Sequence, residues 1–224
     1  MTRILLAVAL WLGAALPCAA GAWMRGEGEG FLSLGFRFYE ERDTGTQGVE
    51  QNFFFEYGFW PRLTVGASAN YTSGVKGEGQ VFLRLPIRND DRPAKLAAEL
   101  GVGAESTDGI TFDPFLKAGL SWGRGLTIAG RSGWVNVDGA VQWASDDTPA
   151  LFKLDTTLGI TLSDRFQLMG QGFFEADEFG ESLTVVPSVI YSPNWGQMKF
   201  VVGLEHKTGR DESTGIKFGL WRDF

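Results

Sequence analysis

The feature that most constrains this chain is a period-two alternation of apolar and polar residues that returns along nearly its whole length. In Leu32-Ser33-Leu34-Gly35-Phe36-Arg37-Phe38-Tyr39 every second residue is oily. Successive side chains of an extended backbone point to opposite faces, so this spacing describes a strand with one apolar face and not a helix. The same pattern places Phe53, Phe55, Tyr57 and Phe59 opposite Asn52, Glu56 and Gly58, and turns at Trp60-Pro61-Arg62 into Leu63, Val65, Ala67, Ala69 and Tyr71. It continues through Val81 to Ile87, Leu96 to Val102, Phe112 to Trp122, Val135 to Trp143 and Phe152 to Leu162. It weakens over 166–174 and 183–191, then resumes at Met198 to Leu204 and in the final eleven residues. Turn-forming residues separate the runs, and Gly123 to Gly130 reads as a longer connection. The expectation is about twelve antiparallel strands in one all-β domain over 23–224, without a helix of ordinary length.

A soluble sandwich and a closed barrel in a membrane both produce such alternation. Three features favour the barrel. The polar faces carry charges in mid-strand: Arg37, Glu56, Arg84, Glu99, Lys117, Asp138, Lys153, Asp155, Lys199, Glu205 and Lys217. Aromatics gather at strand ends on the apolar faces, as Tyr57, Phe59, Tyr71, Trp122, Trp143, Tyr191 and Phe224 do, the arrangement of two girdles at lipid–water interfaces. No edge strand with protective charges or prolines is evident, and an unpaired edge in lipid costs several kcal/mol per backbone group. The expected architecture is therefore a closed antiparallel transmembrane barrel whose inner face bears the charged residues. The connections 40–46, 72–78, 105–109, 145–149, 175–181 and 207–213 are acidic, while the turns at Arg62, Arg88, Arg92, Arg124 and Arg165 are short and more basic, as two different sides of a membrane would have them.

The two ends of the chain agree with this. Thr2-Arg3, an apolar run from Ile4 to Ala15, and small residues through Pro17-Cys18-Ala19-Ala20-Gly21-Ala22 form a Sec-type signal over 1–22, cleaved after Ala20 or Ala22. The run is shorter than the ~20 residues of a spanning helix. Cleavage takes away the one cysteine, leaving an exported chain without a disulfide. It also removes Arg3 and no acid from a chain of net charge −7, so nucleic acid is an unsuitable partner. Gly26, Gly28 and Gly30 make the next stretch a lead-in on the periplasmic side. At the other end Ile216, Phe218, Leu220 and Phe224 share one parity, opposite Gly215, Lys217, Gly219 and Trp221.

That final strand, closing on an aromatic residue, resembles the last strand of bacterial outer-membrane barrels. The resemblance implies that Ile216, Phe218, Leu220 and Phe224 are read by the barrel-assembly machinery, with Arg222 standing where another apolar residue is usual. The hairpin from Glu56 to Gly66, with Arg62-Leu63-Thr64 at its turn, is similar to one found in proteobacterial outer-membrane barrels, including transporter-like proteins linked to aromatic-compound degradation. Trp60-Pro61 replaces the polar pair common there. An outer-membrane location follows, with bilayer lipid and lipopolysaccharide as surroundings.

For function, inward parity includes glycines at 35, 58, 66, 101, 103, 119, 159, 203, 215 and 219, which lower the bulk of the wall. A barrel of this size stands between those that side chains fill and the open porins. The expectation is a passive channel for small hydrophilic solutes. The alternative is a closed, envelope-stabilising barrel in which the inward charges pair across the lumen. An outer-membrane lipid hydrolase is the third reading: outer-membrane phospholipase A is similar in strand number, but its family carries a His and a Ser close together on one strand. Here the single histidine, His206, has no Ser two residues away, and its parity follows Leu204 outward. Glu175, Asp177, Glu178 and Glu181 lack the ordered spacing of a calcium loop. No phosphate loop, zinc spacing or nucleotide fingerprint occurs, so no cofactor, metal or catalytic residue is expected.

Overall fold

A computed structural model describes residues 22–72, 76–88, 93–144 and 150–224. Residues 1–21, which hold Cys18 and all but the last residue of the expected signal, and the connecting residues 73–75, 89–92 and 145–149 lie outside the described residues. Twelve strands follow in order: β1 (Gly30–Glu41), β2 (Gln47–Trp60), β3 (Leu63–Thr72), β4 (Lys76–Arg88), β5 (Ala94–Ser106), β6 (Asp113–Ile128), β7 (Arg131–Ala144), β8 (Leu151–Thr161), β9 (Phe166–Asp177), β10 (Gly180–Tyr191), β11 (Met198–Gly209) and β12 (Ser213–Asp223). Each pairs antiparallel with its sequence neighbours, and β1 pairs with β12, so the sheet closes on itself.

Closure follows from the alternation. With one face apolar throughout and the other polar, a flat sheet of this length would leave two edges of unpaired backbone, and joining β1 to β12 removes both. The seam is continuous from Phe31↔Asp223 to Glu41↔Ser213. It ends in a mutual pair of bonds in which the Gly30 and Phe224 amides donate to each other's carbonyls, at 2.7 and 3.0 Å. The apolar face turns outward: Leu100, Leu116 and Leu204 are 67 %, 60 % and 62 % exposed. Leucine rows so open to the surroundings are suited to lipid and not to water.

Both described ends of the chain lie at the rim where the turns after β2, β6 and β8 are short. Tyr57, Phe59, Trp122, Tyr191 and Phe224 stand towards this rim, where the Phe224 ring stacks on Phe55 at 6.3 Å and Tyr191 meets Phe166 at 5.2 Å. Tyr71 and Trp143 stand towards the opposite rim. All of these share the outward face with the leucines and valines.

Three sequence expectations need correction. Gly123 to Gly130 is not a loop: β6 runs on to Ile128, and the connection is Ala129-Gly130 alone, both at positive φ (50° and 77°). A two-residue hairpin with that backbone matches the strand twist, and it was obscured because the glycines of this stretch look like loop punctuation. Phe112 precedes β6 and does not belong to it. The lead-in after the signal does not stay outside the barrel, as the next section describes.

Candidate functional site: the barrel lumen

All eleven charged residues assigned inward by parity face the lumen side of the wall, alternating with the outward apolar set. At the rim near the termini, the segment from Ala22 to Glu29 forms a strap across the opening. The buried Ala22 amide donates to Asn136 Oδ1 on β7 at 3.1 Å. The Trp23 ring occupies the space above Gly123 on β6 and packs against a buried cluster of Trp134, Met169, Ile190 and Val201, joined by Trp221. The Arg25 amide donates to Thr64 Oγ1 on β3 at 3.1 Å, and its Nε donates to Glu56 Oε2 on β2 at 2.9 Å. Gly28 and Glu29 then pair with Gly58 through two backbone bonds of 2.9 Å before the chain enters β1. In a ring of twelve strands β7 lies opposite β1, so the strap crosses a diameter of the barrel.

Sequence reasoning missed the strap because a glycine-rich stretch has no period to read. Gly58, which does carry a signal, has inward parity and no side chain: a Cβ there would meet the carbonyl of Gly26.

Above the strap a run of ions crosses the wall. Glu56, wholly buried, accepts from Arg25 and from Arg84 Nη1; Arg84 Nη2 donates to Glu99 at 2.7 Å; Lys117 Nζ lies 3.5 Å from the other Glu99 oxygen. Charges so far from water persist only when paired and hydrogen-bonded. Asn136 donates to Asp138, which stands directly opposite Asp155 on β8. Lys199 pairs with Asp223 at 2.9 Å near the strap.

Towards the opposite rim lies a charged vestibule. Arg37 bonds Glu50 at 3.0 Å and Glu205 at 2.9 Å. Lys153 lies 3.4 Å from Glu175 on neighbouring β9 and 3.7 Å from Glu78 on β4, four strands away, so it reaches across the lumen. Lys217 stands over the Phe173 ring at 5.7 Å. The inward glycines have a different use from the one their number suggests. The Phe82 ring fills the space above Gly66, Phe115 that above Gly103, and Trp134 that above Gly159, each across one strand pair. These three make room for packed rings.

At the vestibule rim the Asp108 carboxylate caps its own loop, accepting from the amides of Thr111 at 2.7 Å and Ile110 at 2.8 Å. These bonds, Thr111 first, lower its pKa to about 2. Arg42 pairs with Glu212 at 2.5 Å, a contact that raises the Arg42 pKa. Of the acidic loop, Glu175 is held by Lys153 and Asp177 by both of its oxygens on Arg210, at 2.9 and 2.8 Å. Among the described residues no three His, Cys, Asp or Glu side chains come together as metal ligands do. His206 faces outward, exposed, with Nδ1 3.1 Å from the Thr214 hydroxyl.

No protein-family model matches this chain, and no curated protein sequence matches it. Solved structures match its fold. An outer membrane channel from Pseudomonas putida F1 is similar with a TM-score of 0.61 and 10 % identity, covering 94 % of this chain and all of its own. The KdgM porin is similar at 0.59 and 11 % identity, covering 86 % of this chain and 99 % of its own. LpxR from Salmonella typhimurium shares the architecture at 0.54 and 7 % identity, covering 85 % and 99 %. The fold is that of porin-like bacterial outer-membrane barrels. At such identity the likeness concerns the architecture, which hosts more than one activity.

Proposed function

We propose that the chain is an outer-membrane, porin-like barrel that conducts small hydrophilic solutes along its charged inner face. The observation that carries this reading is the set of inward ionisable groups at both levels of the lumen, Arg37, Lys153 and Lys217 in the vestibule and Glu56 and Arg84 near the strap. Such a lining replaces part of a solute's hydration as it passes. Export through the Sec pathway, insertion by the barrel-assembly machinery using the strand that ends at Phe224, and contact of the acidic rim with lipopolysaccharide belong to the same proposal. Channel-forming proteins of the same architecture support it.

A second reading has its own observation. The Arg84 ion run is buried and paired, and the Trp134, Met169, Ile190 and Val201 cluster fills the lumen beside the strap. A barrel packed in this way would serve the envelope as a closed scaffold. Planar-bilayer recording of the refolded protein separates the two. Discrete conductance steps above the lipid background are expected, and their absence rejects the channel. An enzymatic reading rests on His206 and its Thr214 neighbour, since the adjacent Ser213 is buried on the other face and accepts from Arg37 at 3.3 Å. Fatty-acid release from phospholipid or lipopolysaccharide, abolished by His206→Ala, would restore it.

A further inference from the structure

We propose that residues Trp23 to Arg25 form a detachable plug for the lumen, hinged at Gly26 to Gly28, and that their withdrawal opens the barrel at the terminal rim. This deepens the channel reading and rests on it. The argument begins with position. The strap crosses a diameter, and Trp23 and Arg25 fall on its two halves: Trp23 closes the side of β6 to β11, against Gly123 and the Met169–Val201 cluster, and Arg25 closes the side of β2 and β3.

Its attachment differs from the packing of the wall. Glu56 and Asp223, the carboxylates beside Arg25, each have a further partner in the barrel. Glu56 keeps Arg84 when Arg25 leaves, and Arg84 keeps Glu99. Asn136 keeps Asp138 when the Ala22 amide leaves. Asp223, 3.7 Å from Arg25, keeps Lys199. Withdrawal therefore leaves both carboxylates paired in the wall, with the Thr64 hydroxyl and Asn136 Oδ1 each losing one donor, and Arg25 passes into water, where an unpaired guanidinium has no desolvation penalty. The root of the strap, by contrast, is held by strand-like bonds of Gly28 and Glu29 to Gly58. Gly28 has φ +82°, a conformation that glycine adopts without strain. The tongue can therefore swing while its root stays paired.

The experiment compares the exported protein with the double variant Trp23→Ala/Arg25→Ala and with a deletion of 23–25, each purified from the outer membrane and recorded in planar bilayers. Every variant is first required to run faster unheated than heated on a denaturing gel, which shows an intact barrel. The expected result is brief or small openings for the parent and long openings at least about threefold larger for both variants. If the parent conducts and the variants have the same conductance and open time, the plug is overturned and the channel stands. If none of the three conducts, both are overturned, and the lumen is closed by its wall.

Discussion

At the scale of single residues, Glu56 is the pivot of the lumen. It is wholly buried and holds Arg25 and Arg84 together. Glu56→Ala leaves two guanidinium groups facing one another, and removing one partner of a buried ion pair costs about 3–5 kcal/mol. The midpoint of urea unfolding in detergent is expected to fall accordingly, while Glu56→Gln, which keeps hydrogen-bond acceptance, loses less. Asp108 gives a pH-dependent case outside the membrane. Its folded pKa, about 2, lies below the ordinary value of 3.8, so its contribution is complete above about pH 4 and is lost as the pH falls through about 2. Asp108→Ala is expected to make the 107–112 loop protease-sensitive at neutral pH, whereas the parent loop resists until the acid range. Parity alone revealed which charges face inward, because a strand has only two faces. It did not reveal their partners: Glu78 meets Lys153 from four strands away, a distance fixed by barrel curvature and not by spacing in the chain. Nor did it reveal Arg25, which lies in a lead-in without alternation. A usable signal was present in the cross-strand pairs Gly66–Phe82, Gly103–Phe115 and Trp134–Gly159, where a bare backbone faces a ring.

At the scale of elements, the strand count and order were legible because each run has the length and alternation of one membrane crossing. The β6–β7 hairpin was not, since Gly125, Ala129, Gly130 and Gly133 blur the boundary between strand and turn. That turn offers a direct check. Ala129 sits at φ +50°, where a Cβ costs roughly 1–2 kcal/mol. Ala129→Gly is expected to raise stability by about 1 kcal/mol, read from the same urea midpoint, and Ala129→Val to lower it. At Gly159 the reverse holds. The Trp134 ring occupies the space a side chain would take, so Gly159→Val forces the ring away and costs about 1–3 kcal/mol. The tryptophan emission of the folded barrel is expected to shift with it.

At the scale of the whole molecule, a barrel without a disulfide in its mature part keeps its form through closure, with outward leucines matched to lipid and inward ions matched to one another. The seam between β1 and β12 is where that claim is most exposed to test. Gly30 and Phe224 exchange both backbone bonds, so the pairs of odd parity along the seam, such as Gly35↔Gly219, are the close ones, about 4.5 Å between Cα atoms. Cys18 is the one native cysteine, so a triple variant Cys18→Ala/Gly35→Cys/Gly219→Cys contains no other thiol. Mild oxidation of that variant in outer-membrane vesicles should link the first strand to the last within one chain, seen as an altered mobility of the boiled, unreduced protein that reductant reverses. Failure to link in correctly inserted protein, or links formed only between separate chains, would contradict the closed barrel on which the channel and its plug depend.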